Sequence, residues 1–180
     1  MQFVENGPDI PNGLLKTHEE GRVVFFCGSG ISYPAGLPGF KGLVDAIYRH
    51  VGASQTEIEK KAYCSNQFDA TLDLLERRLP GQRTAVRKAL AHVLQPKLRR
   101  KGALDTHRAL LKLARNRDGA MRLVTTNFDR IFERVVKRDK EKVNFYAAPM
   151  LSIPKISRWD GLVYLHGFLT DQDDINGLNR

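Results

Sequence analysis

The sequence predicts a doubly wound α/β fold, an open parallel sheet with a helical insertion after the first strand. Two observations carry that reading. Short apolar, β-rich runs occur at three places and each halts at a polar or glycine cluster, and helical periodicity fills the chain between them. The resulting order, strand, loop, helices, strand, helix, strand, is that of a parallel sheet joined by crossovers.

Residues 1–21 hold Gly7, Pro8, Pro11, Gly13 and Gly21 and read as an N-terminal leader with a short helix at Leu14 to Glu20. Arg22 to Cys27 is a near-continuous apolar run, as expected of a strand buried on both faces. Gly28 to Lys41 reads as a glycine- and proline-rich loop, and Leu43, Val44, Ala46, Ile47 and Val51 then take helical spacing. Phe68, Leu72, Leu75 and Leu79 form one apolar stripe that breaks at Pro80-Gly81, and Thr84 to Leu94 forms another amphipathic segment. Thr106 is placed to cap a helix through Leu110 and Leu113, with Gly119 beyond its end. The helical insertion thus covers about 43–118 of one domain spanning 22–180. Met121 to Thr126 is the second strand, and a helix through Ile131, Val135 and Val136 follows it. Val143 to Tyr146 is a short strand, and Gly161 to Leu165 is the last.

Composition narrows the function classes. No stretch approaches the roughly 18 apolar residues of a membrane span, and the N-terminus lacks the basic and apolar regions of a secretion signal. Cys27 and Cys64 are the two cysteines, too few for a disulfide framework and without a Cys-x-x-Cys pair for zinc. A cytoplasmic, reduced, soluble protein without a metal is expected. The formal net charge is +9, and nine basic residues between Arg77 and Lys101, with no acid among them, account for the whole excess. That segment is either a solvated face, a surface for an acidic partner, or a nucleic-acid contact; it has no aromatic residue to stack on bases.

Three polar clusters fall at the C-terminal ends of three strands, the rim where open parallel sheets bind ligands. Gly28-Ser29-Gly30-Ile31-Ser32, continuing to Gly36-Leu37-Pro38-Gly39-Phe40, suits the close approach of a phosphate, or equally a tight strand-to-helix turn. Thr125-Thr126-Asn127-Phe128-Asp129 sets an amide beside a carboxylate, fit for sugar hydroxyls and a carboxamide, or for capping the next helix. His166, followed by Gly167, can serve as a general base or as a hydrogen-bonded structural residue. His18, His50, His92 and His107 lie in or at the ends of predicted helices and read as structural or surface residues.

Together and in this order the clusters resemble the sirtuin family, over about Arg22 to Gly167. The echoes are Gly28-Ser29-Gly30-Ile31-Ser32, Gly36-Leu37-Pro38-Gly39-Phe40-Lys41, Thr125-Thr126-Asn127-Phe128-Asp129 and His166-Gly167. Thr106-His107 also resembles part of the helix that precedes the asparagine strand there. The resemblance implies a Rossmann-like domain and NAD as ligand and substrate. It implies that Gly28, Ser29, Gly30 and Ser32 hold the phosphates, that Phe40 covers the nicotinamide site, and that Leu37 and Asp129 line its pocket. Asn127 would hold the ribose and the attacking water, and His166 would be the base.

The departures select a branch. No cysteine follows Cys64, so the four-cysteine zinc ribbon of the deacylases is missing; the family's Asp and Arg in the proline loop are Gly39 and Lys41; and 39 positions separate Asn127 from His166. These features resemble the zinc-free, sirtuin-like domains of bacterial immunity proteins, which hydrolyse NAD to nicotinamide and ADP-ribose. The alternatives are an NAD-dependent protein deacylase and a non-catalytic nucleotide-binding or assembly module. The sequence stops 13 residues after Gly167, in a tail bearing Asp171, Asp173 and Asp174, where the family has further strands for the adenosine half. That implies a C-terminally incomplete domain that works as a homo-oligomer or with further domains.

Overall fold

Strands form where the chain is apolar and β-branched, and the computed structural model, which describes residues 1–79, 82–151 and 159–169, joins four of them in one sheet. They are β1 (Phe25–Cys27), β2 (Arg122–Thr125), β3 (Phe145–Ala147) and β4 (Gly161–Tyr164), in the order β1-β2-β4-β3 with every neighbouring pair parallel. The helices are α1 (Asn12–Glu19), α2 (Phe40–Val51), α3 (Glu57–Cys64), α4 (Phe68–Arg78), α5 (Gln82–Val93), α6 (Asp105–Leu113) and α7 (Ile131–Asp139). The chain is therefore a Rossmann-like α/β protein, with α2 to α6 inserted between β1 and β2, where the periodicity predicts a helical insertion. Among the described residues no helix is long and apolar enough to cross a membrane.

The register sets Cys27 beside Thr125 and Thr125 beside Tyr164, so the ends of β1, β2 and β4 lie level. Leu123, Leu162 and Tyr164 share one core with Ile47, Leu75, Leu111 and Phe132 from the helices. Each such side chain, removed from water, contributes about 1.5–3 kcal/mol. Glycine is required at Gly161, where φ is +146° and an added Cβ would sit 2.4 Å from the Asn144 carbonyl oxygen. α1 docks on the domain through His18, whose Nε2 lies 2.6 Å from the Leu113 carbonyl and whose ring stands edge-on to Phe25.

Several expectations need correction. β1 is not buried on both faces: Phe26 is 64% and Val24 48% exposed. β1 is an edge strand paired only with β2 among the described residues, and along it Phe25 and Cys27 pack on the core while Phe26 faces solvent. Ser29–Ala35 is a 3₁₀ helix rather than loop, closed by Gly36 at φ +80°. Thr106 does not cap α6, which starts one residue earlier with Leu104 in the capping position. α3 was not expected, because half of its residues are charged and its largest aliphatic residue, Ile58, faces solvent. Its signature was nonetheless present, since Thr56 and Glu59 form a capping box. The expected break at Pro80-Gly81 and the acidic tail with Asp171, Asp173 and Asp174 lie outside the described residues.

Candidate functional site

The level ends of β1, β2 and β4 bring the three polar clusters to one place. A cavity of about 610 Å³ opens there, lined among others by Ser29, Ser32, Leu37, Phe40, Asn127, Asp129 and His166. That volume is within the ordinary range for small-ligand sites. Seven of the nine predicted site residues line it, and Gly28 and Gly30 do not. Those two stand at the start of the 3₁₀ helix beside Ser29. The chain does turn tightly there from β1 into the 3₁₀ helix, but neither glycine has a positive φ and a Cβ on Gly30 would meet nothing within 4 Å, so the turn forms without requiring glycine at Gly30.

Beneath the cavity floor is a buried polar network. Ser32 Oγ donates to Asp129 Oδ2 at 2.8 Å and accepts from Asn127 Nδ2 at 3.1 Å. Asp129 Oδ1 accepts from the Ile131 amide at 3.1 Å, so this carboxylate also steadies the first turn of α7. Arg130, not Asp129 or Asn127, holds the capping position of α7, and Asp129 reaches the helix start from one residue before it. The Asn127 amide is fixed from behind by the Thr125 hydroxyl, which accepts from the Asn127 N–H at 3.1 Å. Because Asn127 donates inward, its Oδ1 is the atom left to accept from a ligand hydroxyl.

Burial dominates the electrostatics. Asp129 is 5% exposed, and desolvation raises its pKa above the usual carboxylate value against the pull of the Ser32, Ile131 and Asn127 bonds. His107, expected to be structural or at the surface, is fully buried, with Nε2 3.4 Å from Ser32 Oγ. The Ser32 proton is committed to Asp129, so Nε2–H donates to Ser32 and the buried Nδ1 is left without a partner among the described residues. Desolvation lowers the His107 pKa to about 4, which keeps the ring neutral at physiological pH. His166, by contrast, is exposed at the turn after β4, its ring 6.2 Å from that of Phe128.

Three lining residues lay outside the predicted polar clusters, one of them Leu43 in α2. Asp69, at the start of α4, and Leu94, after α5, reach the cavity from the helical insertion. Phe40 rests on Phe68 at 5.6 Å between ring centres, and Phe68 meets Tyr63 edge-on, so an aromatic wall ties the start of α2 to α3 and α4. Among the described residues no group of three or more His, Cys, Asp or Glu side chains is placed to hold a metal ion.

The basic segment divides. Arg77 pairs with Asp73 at 2.7 Å, and Arg78 pairs with the buried Glu59 at 2.6 Å, tying α4 to α3. Lys97, Arg99 and Arg100 instead line a separate surface depression of about 540 Å³ and have no acidic partner among the described residues. The Lys97 amide donates to Ala35 at the end of the 3₁₀ helix.

Fold and site together define a Rossmann-like α/β protein with a ligand-sized cavity at its strand ends. No family model matches the chain. It is 35% identical over 182 residues to the uncharacterized protein y4cA of Sinorhizobium fredii, an alignment covering 98% of this chain and 15% of that protein. The chain therefore spans about 15% of the length of that relative.

Proposed function

We propose that this chain carries the catalytic centre of an NAD glycohydrolase, of the sirtuin-like kind used in bacterial antiphage defence. The observation that supports the reading is the meeting of Ser32, Asn127, Asp129 and His166, drawn from three strand ends, around one cavity with Leu37 and Phe40. Asn127 Oδ1 accepts from a ribose hydroxyl and orients the sugar, and Asp129 holds the nicotinamide carboxamide. Ser32 locks both side chains in place. His166 takes the proton from the attacking water.

The reaction is a displacement at C1′ of the ribose. The C1′–N bond breaks with its electron pair leaving on the nicotinamide nitrogen, through an oxocarbenium-like state. The water oxygen bonds to C1′, and the proton passes through His166 to solvent. Nicotinamide and ADP-ribose are the products. Holding water and sugar in attack geometry is what the site contributes most directly.

The test is nicotinamide release from NAD by the purified protein. Asn127→Ala and His166→Ala should each lower kcat/KM at least about a hundredfold, the scale of a lost general base or positioning group. Unchanged turnover in both variants would remove the assignment. Release that requires an acyl-lysine peptide would instead indicate a deacylase, and ADP-ribose binding without turnover would indicate a binding module.

A further inference from the structure

The charge lining the cavity is opposite to the charge of the protein. The chain has a net charge of +9, yet among the described residues the cavity is lined by two carboxylates, Asp69 and Asp129, and by no lysine or arginine. Asp129 is buried and tied to the Ser32 hydroxyl and the Ile131 amide. Asp69 is exposed, and among the described residues no hydrogen bond or ion pair reaches it. It follows Phe68, the residue against which Phe40 rests, and both Asp69 and Phe40 line the cavity.

A free carboxylate and an aromatic face lining one cavity suit a flat cation. The ring quadrupole attracts positive charge, and the carboxylate adds a Coulomb term strengthened wherever water is excluded. Asp69 in the first turn of α4 also favours that helix's dipole, but an exposed helix-start acid gains little from facing a cavity.

We propose that this cavity selects the oxidised, cationic pyridinium ring of a nicotinamide dinucleotide over the neutral reduced ring, with Asp69 as the selecting charge. The inference rests on the NAD reading above and adds a specificity residue to it. It also orients the ligand: the cationic ring enters the acidic cavity and the pyrophosphate stays outside, over Gly28 and Gly30.

The experiment is calorimetry with three ligands: carba-NAD, which keeps the pyridinium charge but resists cleavage, NADH, and ADP-ribose. The wild type should bind carba-NAD at least about tenfold more tightly than NADH, a preference of the size one close opposite charge supplies. Asp69→Asn should bring that ratio close to one with ADP-ribose affinity and thermal unfolding unchanged, and Asp69→Glu should keep most of the preference. A ratio that Asp69→Asn leaves intact overturns the role of Asp69, while NAD hydrolysis by the wild type in the same preparation preserves the functional reading. An equal loss of ADP-ribose and carba-NAD affinity in Asp69→Asn also overturns it, since the charge would then not read the ring. A wild type that binds none of the three and releases no nicotinamide overturns both.

Discussion

Ser32 Oγ donates to Asp129 Oδ2 across 2.8 Å, joining the 3₁₀ helix after β1 to the turn after β2, residues 97 apart in the chain. The same hydroxyl accepts from Asn127, so one small side chain couples the first two polar clusters. A buried network of this kind fixes one geometry when its members are satisfied, at the cost of holding a carboxylate away from water.

That cost is measurable at Asp129. Its pKa is raised by burial, so ionisation is easier in the unfolded chain, and the wild type loses stability as pH rises above about 4, where an unfolded aspartate ionises. Asp129→Asn removes the charge and keeps the shape. It should raise stability at pH 7 by something on the order of 1 kcal/mol, while nicotinamide release falls about tenfold or more. Urea unfolding at pH 7 and below pH 4 checks the sign, because the gain should vanish in acid. A variant less stable than wild type at both pH values would contradict it.

His107 shows the opposite linkage. Its folded pKa, lowered to about 4 by burial, lies below the value near 6.5 of the unfolded chain, so protonation favours unfolding. Stability should fall as pH drops from about 6.5 to about 4 and then level off, a total of about 3 kcal/mol from this one ring. His107→Leu, which keeps an apolar body in the same core, should flatten that limb of the stability curve. Chemical denaturation at half-unit pH steps reads it directly, and an unchanged acid slope in the variant would assign the loss to other groups.

The parts of this picture legible in the sequence are those carried by local pattern. β2 and β4 announce themselves as apolar runs, and the ends of parallel strands share a rim, which is how Asn127 and His166 could be expected over one cavity before any coordinates. What stayed hidden depends on long-range packing. His107 looks like any helical histidine, and only the approach of Ser32 from 75 residues away makes it a network member. Asp69 looks like a helix-start acid until the Phe40–Phe68 contact swings the start of α4 to the cavity. The exposure of Phe26 is invisible for a related reason, since an apolar run reads the same in an edge strand as in a central one.

Substitution at Gly30 tests whether that glycine serves the fold or a ligand. It lies inside the 3₁₀ helix without a positive φ, and an added Cβ would meet no atom within 4 Å, so nothing in the fold demands glycine there. Replacing a glycine whose backbone geometry other residues can adopt stabilises a protein by about 0.4–1 kcal/mol, through the reduced freedom of the unfolded chain. Gly30→Ala should therefore unfold at the same or slightly higher denaturant concentration. If the backbone beside Ser29 receives the pyrophosphate, the new methyl group stands in the path of the ligand, and the KM for NAD should rise several-fold with kcat little changed. Gly36 provides the contrast, because its φ of +80° lies in the left-handed region, where a side chain costs about 1–2 kcal/mol. Gly36→Ala should thus lose stability where Gly30→Ala does not. A destabilised Gly30→Ala with an unaltered KM would return that glycine to the fold and take the phosphate away from it.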